Sequence, residues 1–101
     1  MDILGRFAEP SLLILVSLAD GSKHGYAIMQ DIEQTMAQRL GPGTLYGAIA
    51  RLESAGLIEA IKSHDRRQPY RLTPAGLTAL RDHMETLQRF TQVAAVRLSN
   101  I

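Results

Sequence analysis

Apolar positions in this chain come in stretches, each set off by glycine, proline or polar residues. In the first stretch Leu12, Leu13, Leu15, Val16 and Leu18 leave almost no polar face. That predicts a buried helix over about Pro10–Leu18, with proline in its first turn and Asp20-Gly21 ending it. Ile28, Met29, Ile32 and Met36 then recur at helical spacing, opposite Gln30, Asp31, Glu33 and Gln34. A second helix is expected over about Lys23–Ala37, with Ser22 as its N-cap. Gly41-Pro42 opens a third, in which Leu45, Ile49 and Leu52 mark the buried stripe, and Gly56 stops it near Ala55. Leu57–Lys62 and Gln68–Leu72 read as two strands around the turn cluster Ser63-His64-Asp65-Arg66. Pro69 is expected to confine the return strand to a sheet edge. Thr73-Pro74 is an N-cap followed by proline, and opens a last helix to about Leu98, about 37 Å long.

The predicted fold is mainly α with a small β-hairpin. A short break between the second and third helices is a helix-turn-helix signal, and a hairpin directly after the third helix is a wing. Residues 1–73 are expected to form the winged helix-turn-helix domain and residues 74–101 a C-terminal dimerisation helix.

Composition narrows the function. The chain has 101 residues, enough for one domain, and no cysteine, which removes disulfides and thiolate zinc sites. A cytoplasmic location is expected: Asp2, Arg6 and Glu9 interrupt any leader-like start, and the longest apolar run, Leu12–Val16, is far below the roughly 20 residues of a membrane span. Net charge is only +1, yet it is unevenly spread. The first third is acidic. The middle third holds Arg39, Arg51, Lys62, Arg66, Arg67 and Arg71 against Glu53, Glu59 and Asp65. No cofactor is expected. His24, His64 and His83 lack metal-ligand spacing, and the glycines of Gly41–Gly47 are not followed by Gly-Lys-Ser/Thr, so neither a zinc site nor a phosphate-binding P-loop is implied. No enzymatic activity is expected.

Candidate DNA contacts follow from the architecture. The third helix of such a fold enters the major groove. Its residues off the buried stripe are Gly43, Thr44, Tyr46, Gly47, Ala50 and Arg51. The small ones let backbone approach DNA, and Thr44 and Tyr46 offer hydroxyls. Lys23, His24 and Tyr26 sit at the start of the second helix, an end suited to phosphate. Lys62, Arg66 and Arg67 lie on the wing. The competing reading is a winged helix that binds another protein and uses these cations for that.

Lys23-His24-Gly25-Tyr26, Gly41-Pro42-Gly43-Thr44-Leu45-Tyr46 and Arg51–Ile58, followed by Arg67, Tyr70, Leu72, Thr73 and Gly76, resemble the PadR family of transcriptional regulators. The resemblance covers about Pro10–Leu80. It implies a winged-helix fold, a dimer and usually repression. By that resemblance His24 and Tyr26 contact phosphate, Thr44 and Tyr46 face the major groove, and Arg66 and Arg67 belong to the wing. Gly41 departs from the family's usual serine, and Pro69 is a second departure.

Leu77, Leu80, Met84, Leu87, Thr91, Ala94, Leu98 and Ile101 alternate spacings of three and four, a heptad seam. They are expected to form the interface of a homodimer that presents two recognition helices about 34 Å apart to an inverted repeat in double-stranded DNA. The resemblance points to the short members of the family, with a single C-terminal helix. Some relatives bind small aromatic or cationic effectors between the dimer helices. The candidates for such a pocket are Phe7, Met84, Leu87 and Phe90, with dimer core as their alternative role.

Overall fold

The computed structural model describes Leu4 and residues 8–101. Helix α1 (Pro10–Leu18) starts at Pro10 after an extended Glu9, and its Leu13, Ile14, Leu15 and Leu18 are buried. It is the centre of the core, packed against the second, third and last helices at once. That explains a helix with almost no polar face. Its buried Ser17 is satisfied by donating to the Asp31 carboxylate at 2.6 Å.

The next segment departs from expectation. Lys23–His24 is not helical but forms a two-residue strand, β1, and helix α2 (Gly25–Met36) begins only after it. His24, not Ser22, is the N-cap: its Nδ1 accepts from the Ala27 N–H at 3.3 Å. The cause is non-local. Lys23 and His24 are drawn into a ladder opposite Tyr70 and Pro69, which keeps their backbone extended. Helix α2 ends at Ala37, whose φ of 53° is left-handed. That conformation costs an alanine roughly 1–2 kcal/mol. Burial of Leu40 just beyond the turn offsets it, at about 1.5–3 kcal/mol for a leucine side chain.

Helix α3 (Pro42–Ser54) follows, with Gly41 as N-cap, and buries Leu45, Ala48, Ile49 and Leu52. Gly56 takes φ 75°, and the Gly56 and Leu57 N–H groups return to the carbonyls of Glu53 and Leu52 at 2.9 and 3.0 Å. These two bonds complete a Schellman cap, which is what the glycine is for.

Strands β2 (Ile58–Ala60) and β3 (Pro69–Leu72) pair antiparallel, Ile58 opposite Leu72 and Ala60 opposite Tyr70. With β1 they make a three-stranded sheet in the order β1-β3-β2. Pro69 therefore lies in the central strand, not at an edge as its type suggests. Proline is tolerated as the first residue of a strand. Its one missing donor is also replaced: the Gln68 side-chain amide donates to the Ile61 carbonyl at 2.9 Å.

Helix α4 (Pro74–Ser99) is capped by Thr73, whose Oγ1 accepts from the Gly76 N–H at 3.0 Å and donates to the Gly56 carbonyl at 2.6 Å. A Cβ on Gly76 would overlap the Leu57 carbonyl, so α4 starts directly against the end of α3. Among the described residues only the first turns of α4 are covered. Leu80 is 7% exposed inside the core and Met84 packs beside it. Leu80 is thus used within its own domain instead of on a dimer seam. Phe90, Val93, Val96 and Leu98 project from the far half with large exposed surfaces. Three packed helices, a small sheet ending in a wing, and one long protruding helix make this a winged helix. No described helix is long and apolar enough to cross a membrane.

Candidate nucleic-acid interface

The short strand β1 matters because of what it brings together. It sets His24 beside the wing, and the N-terminus of α2 opens next to both. A notch of about 650 Å3 results, lined by His24, Tyr26 and Gln30 from one side, Tyr46 from α3, and Arg66, Arg67, Gln68 and Tyr70 from the wing. All of the chain's tyrosines line it. Tyr46 lies across Gly25, where a Cβ would collide with the phenol, so the buried glycine at the start of α2 seats the ring of α3. Tyr26 and Tyr46 remain more than half and half exposed. Burial, and then the Glu53 carboxylate and Tyr46, push the Tyr70 phenol above the ordinary tyrosine range, which keeps it a neutral donor.

Hydrogen bonding at His24 bears on what the notch accepts. Nε2 lies 3.0 Å from Arg67 Nη1, while Nδ1 accepts from Ala27. A neutral imidazole has one donor and one acceptor. With the proton on Nδ1, Nε2 accepts from Arg67 and the helix cap is lost. With the proton on Nε2 the cap stands, and Nε2–H and the guanidinium are two donors side by side. A shared anionic oxygen satisfies the second arrangement, at the N-terminal end of a helix whose free N–H groups also favour an anion.

Charge pairing sorts the cations. Lys23 is taken up by the Ser17 carbonyl and the Asp20 carboxylate, which holds the Asp20 carboxyl below the usual range. Arg39 pairs with Glu33 at 3.1 Å and Arg71 with Glu59 at 2.7 Å. Among the described residues Arg51 on α3, Lys62, Arg66 and Arg67 on the wing, and Arg81, Arg89 and Arg97 on α4 enter no ion pair. Local turns shape the wing tip: Ser63 Oγ accepts from the Asp65 N–H at 3.1 Å and Asp65 Oδ1 from the Arg67 N–H at 3.4 Å.

Five of the residues singled out by sequence line one notch. His24, Tyr26, Tyr46, Arg66 and Arg67 converge at the notch. Gly43, Thr44 and Arg51 are exposed along α3, with Gly47 half-buried under the Arg51 guanidinium, and Lys62 is exposed on the wing. Lys23 is the exception, being bound into the fold. Gln30, Gln68 and Tyr70 were not anticipated. A glutamine directly before a proline inside a strand is a local signal for Gln68, and Tyr70 stands among the residues that carry the family resemblance.

A second concavity lies between α1 and α4. It measures about 470 Å3 and is lined by Leu12, Leu13, Val16, Met36, Met84 and Leu87, with Glu9 and His83 as its polar members. Met84 and Leu87, two of the residues expected in an effector pocket between dimer helices, line this intramolecular groove. Phe90 does not line it and is 70% exposed. Phe7 lies outside the described residues. Among the described residues no cluster of His, Cys, Asp or Glu could hold a metal ion.

Known proteins resemble this chain over most of its length. The sequence model of the transcriptional regulator PadR-like family matches residues 14–82. The transcriptional regulator Rv3488 of Mycobacterium tuberculosis is 34% identical over 84% of this chain and 81% of its own length. An uncharacterized 37.1 kDa protein of a Streptomyces fradiae transposon is 44% identical over 85% of this chain, which spans only 25% of that protein. The crystal structure of a PadR family transcription regulator from Clostridium difficile superposes with a TM-score of 0.81 at 26% identity, covering 90% of this chain and 99% of the other. The matched span runs from the core of α1 through α3 and the hairpin into α4, and the chain belongs to the PadR family of transcriptional regulators.

Proposed function

We propose that the chain binds double-stranded DNA as a homodimer and represses transcription from an inverted-repeat operator. One observation carries the reading. His24 Nε2 and the Arg67 guanidinium, 3.0 Å apart, meet in one notch with the start of α2, two exposed tyrosines and Arg66. That is a surface suited to a phosphodiester backbone flanked by a groove. In this reading α3 lies in the major groove, with Gly43, Thr44, Gly47 and Arg51 toward base edges and Tyr46 at the flanking phosphate. His24, Tyr26 and Arg67 hold phosphate, while Lys62 and Arg66 reach along the wing. Lys23 braces β1 against α1 and makes no contact. Residues 1–73 read DNA and residues 74–101 dimerise, with the first turns of α4 shared between the two tasks.

Dimerisation rests on Leu77, Leu87, Phe90, Val93 and Leu98, large apolar side chains left exposed by the chain itself. Thr91 and Ala94 continue the seam as its close-packed positions. Repression follows by occupancy of the operator, in the cytoplasm. The groove between α1 and α4 suits a small aromatic effector, and Glu9 at its rim favours one that is cationic.

Selection from random duplex DNA at two salt concentrations tests the reading. An enriched inverted repeat is expected, with affinity falling as salt rises, about 0.9 log unit per log unit of salt for each phosphate contacted. Binding that is absent, or indifferent to salt and sequence, would replace this reading by the protein-interaction alternative. A promoter fusion carrying the selected operator then separates repression from activation.

A further inference from the structure

We propose that Gln68 is a positioning residue for the wing: its side-chain amide replaces the ladder donor that Pro69 lacks and so holds Arg67 against His24. The geometry stands by itself, and its consequence for DNA rests on the reading above.

Ile61 and Pro69 face each other one step beyond the Ala60–Tyr70 pair. The Ile61 N–H donates to the Pro69 carbonyl at 2.9 Å. In an antiparallel ladder such a pair exchanges two bonds, each residue giving its N–H to the other's carbonyl. Proline has no N–H, so the return bond to the Ile61 carbonyl is missing from the backbone. Gln68 Nε2 stands 2.9 Å from that carbonyl and 2.9 Å from the Pro69 carbonyl. The amide carries two N–H groups and directs one to each strand. It thereby closes the hairpin at its mouth, where Lys62–Arg67 loops out.

Position in the chain makes this closure functional. Arg67 directly precedes Gln68, and its guanidinium is the group that meets His24 Nε2 at 3.0 Å. Freeing the mouth of the hairpin frees Arg67 first. Gln68 is uncharged and makes no ion pair of its own, so its removal takes no cation from the interface.

Three variants test the proposal: Gln68→Ala, Gln68→Glu and the double variant Gln68→Ala with Pro69→Val. Two readouts are followed, hydrogen exchange of the Ile61 amide without DNA and affinity for the selected operator across a salt series. Gln68→Ala is expected to speed Ile61 exchange and weaken operator binding about three- to tenfold, the equivalent of one net hydrogen bond. Its salt dependence stays that of the wild type, whereas Arg67→Ala lowers the salt slope by about one. Gln68→Glu cannot donate and behaves at least as badly. In the double variant the backbone donor returns at position 69, and both readouts move back toward wild type.

Unchanged Ile61 exchange in Gln68→Ala overturns the proposal, as does a double variant no better than the single one. Weaker DNA binding with unchanged exchange also overturns it, because Gln68 then acts by touching DNA. If the wild-type chain binds no duplex, the DNA reading fails, and exchange with its rescue by Pro69→Val alone decides whether Gln68 closes the ladder.

Discussion

Helices α1 and α4 are both rich in large aliphatic residues, and their fates differ. The short α1 is surrounded by its own chain, so that Ile14 is wholly buried. Among the described residues nothing covers the far half of α4, and Leu98 is 67% exposed. Hydrophobicity therefore does two jobs. In α1 it stabilises the monomer; beyond Met84 it is unspent until a second surface arrives. Leu80 and Met84 mark the crossover, being the last α4 side chains that the core takes in. The lesson is that a heptad pattern says a helix face is apolar, and not whose atoms cover it.

Breaking the covered helix is expected to have the largest effect. Ile14→Ala removes a fully buried side chain and is expected to cost roughly 2–5 kcal/mol of unfolding free energy. Denaturant unfolding at several protein concentrations checks it, and the loss is the same at all of them. Leu98→Ala, in contrast, leaves the monomer's stability alone and weakens only the concentration-dependent part.

Next in size is the uncovered helix. Leu87→Glu places a charge on the apolar face and is expected to yield a folded monomer by light scattering, with an unchanged helical signal. A persistent dimer would mean that α4 is covered in some other way. Smaller again is Arg67→Ala, which touches neither helix. It is expected to reduce DNA affinity about tenfold at moderate salt while the dimer survives. Tyr46→Ala is expected to act in the same direction. If operator affinity is unchanged in both, the notch is not the phosphate site.

The smallest effect concerns the end of α1. Lys23 holds the Asp20 carboxyl below its ordinary range, first through their hydrogen bond and then through charge. A carboxylate with a depressed folded-state pKa adds stability above the unfolded pKa and loses it as pH falls through the folded value. Asp20→Asn is therefore expected to flatten the acid limb of the stability curve slightly, with little change near neutrality. The Asp20 carboxylate is exposed, so screening keeps the effect small. A thermal-unfolding series between neutral and acid pH, run on both proteins, is the check.

How much was legible can be traced residue by residue. Pro10, Gly41-Pro42 and Thr73-Pro74 announced their helices because caps and proline act within one turn of chain. Gly56 announced a stop for the same reason. The stripe of Leu45, Ile49 and Leu52 was readable because a helix repeats every 3.6 residues. The notch was readable only as a set of suspects. Nothing near His24 says that Arg67 is its neighbour, since the contact crosses 43 positions.

The misreadings have one source. Lys23–His24 looked like the start of a helix, and a strand from far along the chain made it a strand. Pro69 looked like an edge residue, and the side chain beside it filled the gap in the ladder. Lys23 looked free, and Asp20 with the Ser17 carbonyl bound it. Leu80 looked like a seam position, and the core claimed it. Sequence by itself determined which segments are helical, where every helix but α2 begins, and which faces are apolar, because those depend on capping, φ preferences and local periodicity. Only tertiary structure decided which apolar face is already covered, which cation is already paired and which strand is central, because each of these depends on partners distant in the chain.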